Sequence, residues 1–413
     1  MSFRQKAISG FSWQSVLKIA TTLIAALKII ILVRILTPHD FGLFSLVAIA
    51  LGLSEAMTQT GINYTIIQSK HSINYFLDTA WVISIVRGFI IGILMILLGF
   101  ILSTFFKYEK NLLFLISLAS LIPIIKGFIN PAIVSLQKKF LFYEDSFFRI
   151  SIVIIEAAVS ILFAYFIIQS ASALIFGMIV AAISEVVLSL LLIKDRPRFV
   201  YSQSRAQVIF KQTKWLSLAT FFNYLNENFD DFLIGSFLGT HHLGLYHNAY
   251  SLSHKPNLEI AKLVHRSNLP IYARIKKDKT RLTLAFRKTM IVLFILTISL
   301  SWPLLVAPKF IVNLFFGDQW LAVIPLIIPL TIAGLIQAFS RSVYTFLMGA
   351  EKNTHLINYH LGLSLLLMTI LIYFLANSSL ELIGVGWAIM LARLLALPLI
   401  IFSCIKTLKA HDK

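Results

Sequence analysis

Apolar runs about twenty residues long recur from one end of this 413-residue chain to the other, and no other feature restricts the fold as much. The runs 85–106, 152–168, 173–193 and 289–307 each approach or exceed the ~20 residues a helix needs to cross a ~30 Å hydrocarbon layer. A segment at membrane depth has no water to bond to and must satisfy its own backbone groups, so runs of this length are helices. Because they recur throughout, none reads as a cleaved leader. Apolar residues make up 58% of the chain and charged residues 13%, which leaves too little polar surface for a soluble globule of this size.

Read with their polar breaks, the runs give about twelve spans, centred near residues 22, 54, 92, 124, 157, 183, 222, 255, 295, 334, 365 and 393. The expected fold is all-α and polytopic. Hydropathy is weakest near 222 and 255, where several charges fall inside the span. A formal net charge of +18 would suit a nucleic-acid binder, but the positions of the 36 Lys and Arg do not. Termini and alternate loops hold 22 of them, the opposite loops hold only Lys107, Lys110 and Lys309, and eleven fall within spans. The positive-inside rule then puts both termini in the cytoplasm and makes the number of crossings even.

The basic stretch 194–214 lies at the middle of the chain and suggests two six-helix bundles, residues 1–196 and 197–413. Sliding one half over the other supports this division. At an offset of 202, Trp13 meets Trp215, and Leu36, Gly42, Leu43 and Phe44 meet Leu238, Gly244, Leu245 and Tyr246. At an offset of 211, Ser120, Leu121, Phe128 and Leu136 fall on Thr331, Ile332, Phe339 and Leu347. Six spans return the chain to its starting side, so the halves form a parallel repeat about an axis along the membrane normal, and such proteins bind substrate between their halves. In the turn 36–42, Pro38 is expected to stop one helix and Gly42 to let the next begin close by.

The eleven cations within spans are Lys18, Lys28, Arg34, Arg87, Lys126, Arg149, Lys255, Lys262, Arg266, Arg341 and Arg393. Each costs about 2.5–3.5 kcal/mol at the centre of a lipid-facing helix, so they must face protein or water; those at span ends, such as Arg34 and Arg266, can snorkel. In the eighth span Lys255, Glu259, Lys262 and Arg266 fall within about 60° of one another on a 3.6-residue helix. Asn223, Glu227, Asp230 and Asp231, with Asn226 at the edge, form an acidic face on the seventh. Lys18, Thr21, Ala25 and Lys28 share a side of the first, and Glu55, Thr58, Gln59 and Asn63 a side of the second.

Acidic and basic stripes can simply lock two helices together by ion pairs. Seven acids within the spans against eleven cations instead suggest a hydrated cleft with a net positive charge, which attracts an anion. The candidates for substrate contact are Lys28 and Lys255, then Lys18, Lys126 and Lys262; Glu227, Asp230 and Asp231 are the candidates for coupling to an ion.

No Gly-x-x-x-x-Gly-Lys-Ser/Thr loop, His-Glu-x-x-His pair or nucleophile elbow occurs, which argues against ATP hydrolysis, a zinc hydrolase and an acyl-transfer enzyme. The ten histidines are scattered and Cys404 is the single cysteine, so no metal site or cofactor is expected. A polysaccharide polymerase or glycosyltransferase would need a sizeable outer loop with catalytic carboxylates, whereas the stretch 308–320 holds only Asp318.

The chain resembles the polysaccharide flippases of the multidrug/oligosaccharidyl-lipid/polysaccharide exporter superfamily, of the colanic-acid and teichuronic-acid type. The likeness rests on 6–10 with Trp13, Phe41-Gly42-Leu43, Gly61-Ile62 with 66–68, Leu136-Gln137-Lys138, 223–226, Gly244 with 246–250, Pro270, and Phe316-Gly317-Asp318-Gln319-Trp320. It implies two bundles working by alternating access on a sugar repeat unit carried by undecaprenyl diphosphate, with membrane lipid around it and a polymerase and glycosyltransferases in the same pathway. It also brings in the superfamily's multidrug branch, whose mostly cationic cargo would call for an acidic cleft.

Overall fold

The structure, a computed structural model, describes residues 3–58, 62, 66, 72–106, 109–276, 278–350, 353–376 and 381–409. Side chains are described for these residues apart from 3–12, 212–216, 218, 219, 223, 226, 279, 353–358, 360, 361, 381, 408 and 409. Gln59, Asn63, Gly61, Ile67 and Gln68 lie outside the described residues, and so do the side chains of Lys6, Trp215, Asn223 and Asn226.

Every regular element among the described residues is a helix. In the first half these are α1 (Phe3–Val33), α2 (Pro38–Met57), α3 (Ile73–Phe105), α4 (Leu112–Ala119), α5 (Leu121–Lys126), a 3₁₀ turn (Pro131–Val134), α6 (Ser135–Lys138), α7 (Phe142–Phe166) and α8 (Ala171–Leu192). Then come α9 (Gln203–Leu238), α10 (Thr240–Ser253), α11 (Lys255–Ile275), α12 (Lys279–Val306), α13 (Pro308–Phe315), a 3₁₀ helix (Asp318–Val323), α14 (Ile324–Gly349), α15 (Asn353–Ala376) and α16 (Glu381–Lys409).

Each of the twelve expected span centres lies in one of these helices. By length and composition alone eight helices can cross a membrane, or nine if the stretch from Leu112 to Lys138, bent by 68° after Lys126, is one broken span. The shortfall falls where hydropathy is diluted: α9 and α11 carry too many charges, and in α15 only Gly362–Ala376 stands out as apolar. Exposed large apolar residues run along the spans, including Phe89, Ile93, Leu97 and Phe100 on α3 and Ile291, Phe294 and Ile295 on α12. In water such surfaces would aggregate; in a bilayer they meet acyl chains.

Contacts divide the chain into two compact units, Met1–Phe232 and Leu233–Lys413. In the first, a core of Phe76, Leu77, Ala80, Ile83, Ile133, Leu136 and Phe148 is closed by Ala206 and Ile209 of α9. In the second, Tyr272, Phe286, Phe346, Leu347, Ala396 and Ile400 join α11, α12, α14 and α16.

The turn before α2 works differently from its expected form. Pro38 is the first residue of α2 rather than the stop of α1, and Gly42 sits inside the helix. The helix start is set by a capping box: Thr37 Oγ1 accepts from the Asp40 amide, and the Asp40 carboxylate accepts from the Thr37 amide at 3.0 Å. The other Asp40 oxygen accepts from the Ala171 amide at 3.1 Å, tying the starts of α2 and α8 together. At the 202-residue offset the same event recurs: α10 begins at Thr240, the counterpart of Pro38, after Gly239 with φ +86°. The counterpart of the bent stretch 112–138, in contrast, is the single helix α14.

Candidate functional site

Lys28 is not a bare cation. Its Nζ lies 2.6 Å from Glu156 Oε1 of α7, with the two side chains 15% and 28% exposed. A lysine on one membrane helix facing a glutamate on its neighbour removes most of the charge either would carry alone. Arg87 is also engaged: its Nε donates to Thr58 O at 2.7 Å and its Nη2 to Glu55 O at 3.3 Å. It caps carbonyls at the end of α2, where the helix dipole favours a positive group. Arg149 pairs with Asp145, a buried carboxylate one turn back on α7, at 3.1 Å.

Lys126 ends α5 at the bend, its side chain is exposed, and no ion pair joins it to another described residue. Lys18 lies on α1, ten residues before Lys28, and is exposed. Glu227 of α9 is exposed while Asp230 and Asp231 are half-buried, and all three belong to the first unit.

Tyr224 anchors α9 on α2. Its hydroxyl donates toward Ala48 O and Ile49 O at 3.2 and 3.3 Å, and its ring fills the space that a Cβ at Gly52 would occupy. Gln137 Nε2 donates to Asp145 Oδ2 and Lys138 Nζ to Ile66 O, so Leu136-Gln137-Lys138 is a joint between segments rather than a binding surface.

In the second unit the eighth span is broken. The α10 helix ends at Ser253, and Lys255 opens α11 with Pro256 directly behind it. The charged stripe keeps its expected register: Lys255 and Arg266 are exposed, Glu259 and Lys262 half-buried, and the opposite face buries Asn257, Leu258, Ala261 and Tyr272. Lys262 Nζ pairs with Glu259 Oε1 at 3.0 Å. Of the five lysines expected to meet an anion, Lys28 and Lys262 therefore hold a carboxylate in this structure. Lys18, Lys126 and Lys255 present exposed side chains.

Residue types and span positions marked the cations but not their partners. Glu156 stood among the acids within spans, and only the packing of α1 on α7 makes it the counterion of Lys28. Other pieces that carried the family likeness are structural here: Trp320 is fully buried beside Phe316, and Gly317 at φ +89° supplies a turn that side chains resist. Asn248 Nδ2 donates to Gly244 O at 3.1 Å within α10.

A chain of packed apolar helices with lysines and carboxylates at membrane depth is the build of a polytopic membrane transporter. Residues 31–325 match the family described as polysaccharide biosynthesis protein, and the chain belongs to that family. It is 24% identical over 353 residues to the lipopolysaccharide biosynthesis protein WzxC of Escherichia coli (strain K12), covering 85% of this chain and 72% of that one. It is 22% identical over 348 residues to the teichuronic acid biosynthesis protein TuaB of Bacillus subtilis (strain 168), with 81% and 70% covered. Among solved structures, the lipid II flippase MurJ in an inward closed conformation superposes with a TM-score of 0.70 at 14% identity, over 95% of this chain and 88% of that one. At that identity the likeness is one of fold.

Proposed function

We propose that this chain is a flippase that moves undecaprenyl-diphosphate-linked oligosaccharide repeat units from the inner to the outer leaflet of a bacterial cytoplasmic membrane. The observation that supports it is a set of lysines at membrane depth on helices of a polysaccharide-biosynthesis family member. A diphosphate head cannot cross hydrocarbon alone, because its charge loses hydration worth tens of kcal/mol. Fixed cations in a wet path replace that hydration while the lipid tail stays in the bilayer.

Two six-helix lobes, residues 1–196 and 197–413, alternate access to the head group, with both termini in the cytoplasm. Lys18, Lys126 and Lys255 make the first contacts, since their side chains are exposed. Lys28 and Lys262 join when the diphosphate competes with Glu156 and Glu259 for them. Glu227, Asp230 and Asp231 couple the cycle to an ion, for which each elementary charge gains about 2.3 kcal/mol per 100 mV. A polymerase and glycosyltransferases of the same pathway supply and consume the repeat unit.

Deleting the gene should remove polysaccharide from the cell surface and leave lipid-linked repeat units on the inner leaflet. The wild-type chain should restore export, and a K18Q/K126Q/K255Q chain of equal abundance should not. Normal surface polysaccharide in the deletion strain, with raised sensitivity to cationic drugs, would instead make the chain a multidrug antiporter.

A further inference from the structure

Glu156 lies near the middle of α7, and its Oε1 holds Lys28 Nζ of α1 at 2.6 Å. Toward α8 the packing is tight: a Cβ at Gly177 would stand 2.9 Å from Glu156 O, and Ser160, one turn further along α7, is 0% exposed. The carboxylate instead opens toward α1, where Lys28 meets it.

The helices packed on α7 are α1, α8 and α6, and their other charged groups stand well away. At a rise of about 1.5 Å per residue, Lys18 is about 15 Å along α1 from Lys28, Glu185 about 12 Å along α8 from Gly177, and Arg149 about 10 Å along α7 from Glu156. Arg149 is in any case engaged with Asp145. Tyr143 and Glu144 lie at the start of α7 with Lys138 of α6 before them, Tyr165 lies at its far end, and Arg34 follows the end of α1. Lys28 is therefore the cation that balances Glu156.

A diphosphate head that takes Lys28 brings two negative charges to a place where Glu156 already carries one. Like charges in one site cannot both stay ionised without a large cost, which is how paired carboxylates come to share a proton. Hydrogen bonding gives the same answer. An ionised carboxylate has only acceptors and repels phosphate oxygens, whereas a protonated carboxyl has an O–H that a phosphate oxygen accepts.

We infer that Glu156 takes up one proton from solution as the diphosphate head displaces it from Lys28, and gives that proton back when the head leaves and the pair closes again. The inference rests on the flippase reading, and it is distinct from the ion assigned to Glu227, Asp230 and Asp231, because this proton belongs to the binding of the head group. A lysine–carboxylate contact is exchanged for a lysine–phosphate contact and one O–H bond forms on Glu156. Head and proton bind together, so affinity falls as pH rises.

The probe is an undecaprenyl-diphosphate-linked hexose, whose disubstituted diphosphate keeps both charges throughout the neutral range. Titration calorimetry of the detergent-solubilised full chain, in buffers of different ionisation enthalpy, counts the protons taken up per ligand bound. The wild-type chain should take up close to one proton and lose affinity by up to about tenfold per pH unit. Glu156→Gln should bind more tightly, since a neutral amide competes poorly for Lys28, and should lose the proton uptake; a merely structural carboxylate would give weaker binding and unchanged uptake. If E156Q does not fold, K28Q/E156Q, which leaves neither partner unpaired, should bind weakly and also without uptake. Infrared difference spectra should show a protonated carboxyl appearing on binding in the wild-type chain. Binding without proton uptake, or uptake undiminished when Glu156 is replaced, would overturn the inference and leave the flippase reading standing, whereas a wild-type chain that does not bind the lipid at any pH would remove both.

Discussion

At the scale of single residues, the physics of this protein is the neutralisation of cations in a poor solvent. Lys28 and Glu156 illustrate it: removing one partner of a buried pair costs about 3–5 kcal/mol because the other is left uncompensated. With 15% and 28% of the side chains exposed, the low end applies. K28Q and E156Q should each lower the stability of the detergent-solubilised protein by about 3 kcal/mol in thermal unfolding. The charge-swapped K28E/E156K chain should recover most of that loss, and its failure to do so would make Lys28 important for something other than the pair. The sequence made the cations legible one by one, since a lysine in an apolar run stands out. It could not reveal that Arg87 caps α2 or that Lys28 meets Glu156, because those partners lie on other helices, whereas the i, i+4 pair of Asp145 and Arg149 follows from spacing on one helix.

At the scale of elements, small residues decide where helices touch. Gly88 of α3 and Gly127, just after α5, face each other's backbones: a Cβ at Gly88 would stand 2.5 Å from Pro123 O, and one at Gly127 3.0 Å from Ser84 O. Close approach of this kind is how membrane helices associate when lipid removes the hydrophobic drive. G88L should therefore separate α3 from α5 and cost at least about 1–3 kcal/mol, the usual penalty of overpacking. Reduced membrane accumulation and a lower unfolding midpoint would register it, whereas G239A, with open space around its Cβ, should suffer only backbone strain. A second joint is Asn130, fully buried, whose backbone amide donates to Ser189 Oγ, whose Nδ2 donates to Asp195 O and whose Oδ1 accepts from Ala132 N. N130A keeps the backbone bond to Ser189 but leaves Asp195 O and Ala132 N without their side-chain partner, at about 1–3 kcal/mol for each lost buried partner. Helix existence was readable from apolar runs, but turn chemistry misplaced Pro38 and Gly42, both of which lie within α2. The cap that does the work, Thr37 with Asp40, is a local pattern three residues long; what the sequence could not show is the second function of Asp40, binding the Ala171 amide 131 residues away.

At the scale of the whole molecule, the question is which helices cross. Mean hydropathy identifies eight or nine spans; it admits only the shorter stretch Gly362–Ala376 of α15 and passes over α9 and α11, since averaging counts each charge without regard to the face it occupies. The pattern of burial says more: on α11 the charges share the side away from Asn257, Leu258 and Ala261, so the helix has one face for protein and one for a polar surrounding. Dropping both helices from the membrane would keep the same parity, with the termini still on one side, so charge bias alone does not separate the two topologies. They differ at the turn around Gly239: it is outside if α9 and α10–α11 each cross, and inside if neither does. Because Cys404 is the single cysteine, C404A leaves a chain without thiols, and H241C then places one reporter on the exposed start of α10. If the helices cross, a membrane-impermeant maleimide added to intact cells labels that cysteine, and an added reductant or permeabilisation is not needed. Labelling only after the inner membrane is opened would put Gly239 in the cytoplasm, and with it would go the charged path through the membrane on which the transport of an anionic head depends.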